Sequence, residues 1–361
     1  MKAVLLCAGE GTRLRPLTWG RPKHLLPVGG RAVLDWVLSD LAQAGVREVI
    51  TVVGPESRES RCLRQFVADG SRWGMAARYV VQPEPLGLAH ALGCAREHLA
   101  DERFLMYLGD DLLDRGVVAA FAEDFVRTQV PASLVVKPVA DPRAFGVVVV
   151  EDGCVTGLVE KPADPPSDLA IVGVYGFGPQ IWQAVDSIQP SARGELEITD
   201  AIDCLVRRGL TVTCHVTGGF WADAGSPEAL LSANHHLLGL LERHIDGEVD
   251  GSSTVQGPVH IATGARVIRS RITGPCLVGP DCLLENAQVG PDVALGAQCV
   301  VRSTSITNSI LDDACRIERV QPGLCGSILG ANAVVCDVCA NHGPLELLLA
   351  DFTVIGSAGG R

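Results

Sequence analysis

From the N-terminus to about residue 225, short apolar runs alternate with longer amphipathic stretches. The runs at 4–7, 46–53, 77–82, 104–108 and 134–138 are β-prone and too short for helices, so they predict strands, the central ones buried on both faces. Between them, 59–68, 87–99 and 117–128 carry helical spacing. This alternation predicts an α/β fold with a doubly wound, Rossmann-like sheet, whose sites lie at the carboxyl ends of the strands. Runs 145–150 and 154–159, joined through Glu151-Asp152-Gly153, predict a hairpin. Residues 227–245 predict an amphipathic helix that closes this part. The Gly-, Asp- and Ser-rich stretch 247–253 predicts a linker. The domains expected are therefore 1–246 and 247–361.

Beyond the linker the period changes. Val255, Ile261 and Val267 are spaced by six, and Val278, Leu284, Leu295 and Val301 continue roughly in that register. Gly, Asn, Asp and Pro fill the positions between them. A period of six predicts a parallel β-helix of about four to six coils, roughly 18 residues each. The register slips near Thr273 and Gln288. Residues 341–361 lack the repeat, and 345–350 are expected to form a short capping helix.

Size and charge narrow the function. A chain of 361 residues with a net charge of −12 is poorly suited to a nucleic-acid polymer. An anionic substrate must instead meet local positive charge and metal. No apolar run is long enough to span a membrane, and the N-terminal run is too short for a secretory segment. A cytoplasmic protein without a membrane partner is expected. The thirteen cysteines are scattered, as reduced thiols would be. Cys336-x-x-Cys339, with His342 nearby, lacks a fourth ligand for zinc.

Three stretches carry chemistry. The first strand runs into Cys7-Ala8-Gly9-Glu10-Gly11-Thr12-Arg13, followed by Arg21-Pro22-Lys23-His24-Leu25-Leu26-Pro27-Val28. Gly9 and Gly11 let backbone N–H groups approach phosphate oxygens, and Arg13 and Lys23 add the charge a triphosphate needs. Neither the P-loop pattern nor the dinucleotide fingerprint is present. Asp110 and Asp111 end one predicted strand and Asp223 another. Each alone reads as a cap or turn residue, but two carboxylates from different strands plus phosphate oxygens make a Mg²⁺ site. In Gln82-Pro83-Glu84-Pro85-Leu86-Gly87, the Gln82 amide could pair with a pyrimidine edge, or equally face adenine.

Together these motifs resemble the sugar-1-phosphate nucleotidylyltransferases. The usual opening, Gly-Gly-x-Gly-Thr-Arg-Leu-x-Pro, is kept with Ala8 for the first glycine, a departure also familiar in related uridylyltransferases. The similarity is greatest to the long form of the glucose-1-phosphate thymidylyltransferases, in which a left-handed β-helix follows the catalytic domain. The resemblance implies Mg²⁺-dependent transfer of a nucleotidyl group from dTTP to glucose-1-phosphate, releasing pyrophosphate. Such enzymes commonly serve antibiotic or cell-envelope glycosylation. It assigns Ala8, Gly9, Gly11, Thr12, Gln82, Pro85, Gly87 and Asp110 to the nucleotide, and Asp110 with Asp223 to the metal. Asp111 stands for the usual Asn and Ala224 for the usual Thr. Gly146, Glu160, Lys161, Val172, Tyr175 and Glu197 fall to the sugar phosphate, with Gly146 leaving room for the ring and Val172 and Tyr175 flooring the pocket. Arg13, Lys23 and Lys161 carry the catalytic charge. Other triphosphates, other sugar or cyclitol phosphates, a silent regulatory subunit and a β-helix acyltransferase using His260 or His342 are the alternatives. Subunit association is expected.

Overall fold

The computed structural model describes residues 1–99 and 101–356. The chain packs as two compact units: Met1–Gly9 with Leu34–Asp223, and Glu10–Val33 with the chain from Ala224 on.

The first unit is built on a nine-stranded sheet. Val- and Leu-rich strands Ala76–Val81, Glu48–Val53, Lys2–Leu6 and Phe104–Leu108 lie side by side and parallel. Their side chains are buried on both faces at the centre, as an apolar run without alternation requires. Leu169–Phe177 then joins antiparallel, flanked by Ala132–Pro138, so the sheet is mixed beyond its parallel half. The predicted hairpin forms from Gly146–Glu151 and Cys154–Glu160. Asp152 and Gly153 both take positive φ, as the turn of a tight hairpin demands. The expected helix at 87–99 is shorter: α-helix from Leu88 to Cys94, then a 3-10 turn at Arg96–His98.

The second unit stacks three parallel sheets of seven, seven and five strands, visited in rotation by the chain. Val259, Ile261, Val267, Ile272, Val278, Leu284, Val289 and Leu295 point inward and form one apolar column. This agrees with a parallel β-helix. Rung-to-rung bonds such as Ala287 N to Ser270 Oγ span 17 residues. The side that includes Thr273 and Gln288 is therefore one residue short of six, which is where the sequence register slips.

Three expectations are corrected here. The helix predicted for 227–245 ends at Gly239, and His244–Ile245 is already a strand. The expected linker 247–253 belongs to the first coil, because Glu248–Val249 pairs with the Arg266–Ile268 strand. The capping helix expected at 345–350 is absent among the described residues. Leu348–Leu349 and Val354–Gly356 instead continue two of the sheets. The end of the predicted tail, 357–361, lies outside the described residues.

Candidate active site

The carboxylates come first. The Phe104–Leu108 strand delivers Gly109 and Asp110, and the chain returns as Asp111–Leu113. That short strand pairs antiparallel with Trp221–Asp223, with Asp223 opposite Asp111. Asp110 and Asp223 are thus carried to one end of one ribbon. Asp111 is spent on holding it. Its buried Oδ1 accepts the Trp221 indole N–H at 2.7 Å, and its carbonyl accepts the Tyr107 hydroxyl at 3.0 Å. Gly173, at φ +72°, makes room for this carboxylate; a Cβ there would collide with Asp111 Oδ2. Trp221 also packs edge-on against Phe145, 4.8 Å between ring centroids. The approach to the ribbon is pinned as well: Asp114 Oδ2 accepts the Phe220 N–H at 2.7 Å, and the Lys137 ammonium donates to the Gly218 and Gly219 carbonyls.

Among the described residues no three His, Cys, Asp or Glu side chains could hold a metal by themselves. Two carboxylates at neighbouring strand ends fit Mg²⁺, which takes one or two protein oxygens and fills its octahedron with water and phosphate.

Next is the loop after Ala76–Val81. Gln82 is buried, and its Nε2 donates to the Gly87 carbonyl at 3.2 Å and lies 3.1 Å from His90 Nδ1. A carbonyl oxygen only accepts, so Nε2 is the atom that faces Gly87, and Oε1 is left as the acceptor of the amide. Gly87 has φ +102°, and a Cβ there would sit 2.5 Å from the Leu196 carbonyl oxygen. Its glycine is needed for this backbone approach, sealed by Leu196 N to Leu86 O and Ala89 N to Leu196 O. Pro85 is exposed on the same loop.

The hairpin holds the third group. Glu160 Oε2 accepts from Thr199 Oγ1 at 3.1 Å, and Lys161 Nζ stands 3.8 Å from Glu160 Oε1. Arg193 reaches Glu160, Glu195 and Glu197 at 3.2–3.5 Å. Glu197 accepts from Ser191 Oγ at 2.9 Å, and burial pushes its carboxyl up from the ordinary range. Glu160, Lys161 and Glu197 are thus brought together. Gly146 lies close to this group: a Cβ there would meet Thr199 Cγ2 at 2.7 Å and Glu160 Oε2 at 3.2 Å. Val172 is fully buried and Tyr175 nearly so, in the stretch where the pairing of Leu169–Phe177 shifts register. Burial likewise pushes the Tyr175 phenol well up.

The phosphate-loop residues divide between the units. Ala8 and Gly9 follow the first strand, while Gly11, Thr12, Arg13 and Lys23 lie in Glu10–Val33. There Gly11, at φ +64°, comes within 3.1 Å of Lys23 Cβ and Thr18 Cγ2, measured from an added Cβ, and its carbonyl accepts from Thr18 Oγ1 at 2.9 Å. Thr12 and Arg13 are exposed on a 3-10 turn, and Lys23 opens another.

Residues 2–239 match the family described as nucleotidyl transferase. The chain belongs to this family. It is 42% identical to the glucose-1-phosphate thymidylyltransferase of Streptomyces griseus, over 86% of this chain and 87% of that one. It is 39% identical to the low-salt glycan biosynthesis nucleotidyltransferase Agl11 of Haloferax volcanii, over 88% of this chain and 94% of that one. Among solved structures, a putative glucose-1-phosphate thymidylyltransferase from Bacillus anthracis in complex with a sucrose aligns at TM-score 0.61 and 31% identity. It covers 66% of this chain and 95% of its own.

The candidate site of this nucleotidyltransferase is also bordered by residues the sequence did not single out. Arg193 gathers three glutamates, Thr199 and Ser191 orient Glu160 and Glu197, and His90 sets the Gln82 amide. His90 lies just beyond the Gln82–Gly87 stretch, in the helix that follows it. Arg193 lay in a Gly- and Ser-containing loop with no periodicity to mark it.

Proposed function

We propose that this enzyme transfers a thymidylyl group from dTTP to glucose-1-phosphate, giving dTDP-glucose and pyrophosphate, with Mg²⁺. The observation that carries the reading is the ribbon that brings Asp110 and Asp223 to one end, in a chain so similar to a thymidylyltransferase. The sugar-phosphate oxygen attacks the α-phosphorus in line and pyrophosphate leaves. The phosphate is already a competent nucleophile, so the chain's work is positioning and charge neutralisation. Lys161 holds the attacking phosphate, Glu160 and Glu197 orient the sugar hydroxyls, and Arg13 and Lys23 take up charge on the triphosphate. Gln82 Oε1 accepts from an N–H on the edge of the base, as thymine offers. Asp110 and Asp223 would hold Mg²⁺, which when bound neutralises phosphate charge.

The stacked sheets are read as a left-handed β-helix, the chain as one of several associated copies in the cytoplasm, and the product as a donor for antibiotic or cell-envelope glycosylation. A panel of four triphosphates against several sugar phosphates tests the substrates by pyrophosphate release. dTTP with glucose-1-phosphate is expected to give the highest kcat/KM. Asp110→Ala and Asp223→Ala are each expected to lose about 100-fold or more. Turnover near wild type in both would refute the metal assignment.

A further inference from the structure

The Glu10–Val33 segment, which carries Lys23, folds with the three-sheet unit. One of its contacts with the sheets is made by Arg21, whose side chain is only 15% exposed. Arg21 Nη1 lies 2.5 Å from Asp312 Oδ2, and Nη2 lies 3.4 Å from Asp351 Oδ1. Both carboxylates are themselves fixed. Asp312 Oδ1 accepts the Asp313 N–H at 2.8 Å, and Asp351 Oδ1 accepts the Ala331 N–H at 3.0 Å. Asp312 follows the Ser309–Leu311 strand and Asp351 the Leu348–Leu349 strand. These are two rungs of one sheet, with Ile328–Leu329 between them. The residue after that middle rung is Gly330, where a Cβ would collide with Asp351 Oδ1. Three rungs therefore shape one seat for a guanidinium.

Little freedom separates this seat from Lys23. Pro22 fixes its own φ and restricts Arg21 to extended backbone. Pro22, at φ −69° and ψ 149°, then opens the Lys23–Leu25 turn. The far end of the segment is held too. The Gly29 N–H donates to Asn234 Oδ1 at 3.0 Å, and a Cβ on Gly30 would meet Leu277 Cδ2 at 2.5 Å. A lysine is a point charge on a flexible stem, so its reach is set by where its backbone is held.

We propose that Arg21 is a positioning residue for triphosphate binding: its pairs with Asp312 and Asp351 fix the backbone from which Lys23 works. This rests on the reading of Lys23 as a triphosphate ligand. Breaking one side of a largely desolvated pair leaves the other charge uncompensated.

The test uses the full chain, with initial rates and equilibrium titration of dTTP. Arg21→Gln is expected to raise the KM and Kd for dTTP about tenfold while the glucose-1-phosphate KM stays within about twofold. Arg21→Lys recovers most of the loss, and Asp351→Asn shifts the dTTP Kd in the same direction with an unchanged Tm. An unchanged dTTP Kd in Arg21→Gln, an equal rise in both KM values, or no recovery with Lys overturns the proposal. If Arg21→Gln does not fold, Asp351→Asn decides, and an unchanged Kd there overturns it. Lys23→Ala separates the two readings. Wild-type dTTP binding in Lys23→Ala removes both, whereas weakened binding there beside normal binding in Arg21→Gln removes only this one.

Discussion

Lys161 holds a backbone conformation that a lysine rarely takes, φ +42°, with its N–H donating to the Phe145 carbonyl at 3.0 Å. Such strain persists where the surroundings impose it, here the end of the hairpin beside Glu160. Two substitutions separate charge from conformation. Lys161→Ala and Lys161→Gly both remove the ammonium, so both are expected to raise the glucose-1-phosphate KM far more than the dTTP KM in steady-state assays. Only glycine relieves the backbone, so Lys161→Gly is expected to melt higher than Lys161→Ala, by about 1 kcal/mol of stability. Equal effects on both KM values would remove Lys161 from the sugar-phosphate side. Glu197 gives a pH-dependent case. Burial first, and repulsion from Glu160 after it, raise its carboxyl above 4.5, against the Ser191 hydrogen bond and the Arg193 charge. A raised folded value favours the protonated form. That stability is full below 4.5 and is lost as the pH rises through the folded value. Glu197→Gln does not titrate, so its Tm relative to wild type is expected to climb across that window and to remain higher at pH 8. A Tm difference that does not vary with pH would count against a buried carboxyl.

Among the elements, the ribbon of Asp111–Leu113 and Trp221–Asp223 distinguishes two adjacent aspartates. Asp111 accepts from Trp221 and fills the space left by Gly173, tasks an asparagine carbonyl also performs. Asp111→Asn is therefore expected to keep kcat/KM within about fivefold, whereas Asp110→Asn loses about 100-fold. A comparable collapse in both would make Asp111 a ligand. This pair shows what the sequence could and could not reveal. The strand ending at Leu108 was legible because an apolar run bounded by Gly-Asp-Asp has few other readings. That Asp111 is held by the Trp221 indole was not, since that depends on a partner strand over a hundred residues away. Gly146 and Gly87 were singled out in the sequence, but the protein atoms around them were not legible there. Each leaves room for protein atoms, Thr199 with Glu160 in one case and the Leu196 backbone in the other. The missed capping strand has the same origin. Leu345 to Ala350 is apolar enough for a helix, and only the stacked rungs beneath it select the extended form.

At the scale of the whole chain, the period of six and the signature loop read as separate features, one structural and one chemical. Packing makes them one unit. Glu10–Val33 folds with the chain from Ala224 on, through Arg21 with Asp312 and Asp351, Gly29 with Asn234, and Gly30 against Leu277. A segment this short buries too little apolar surface to order itself, because fixing each residue costs about 1–2 kcal/mol of backbone entropy. Its order comes from what it rests on, the Pro227–Gly239 helix and the rungs. A chain ending at residue 240 keeps the helix Pro227–Gly239 but loses Leu277, Asp312 and Asp351. In that chain Glu10–Val33 is expected to be unfolded. Limited trypsin digestion would report this directly. Arg15 and Arg21 precede prolines and resist cleavage, so new cuts are expected after Arg13, Lys23 and Arg31, with the full chain resistant at Lys23 under the same conditions. The truncated chain is expected to lose dTTP binding while the nine-stranded sheet still melts cooperatively. A truncated protein that resists trypsin at Lys23 and binds dTTP as tightly as the full chain would show that the loop is ordered without the coils.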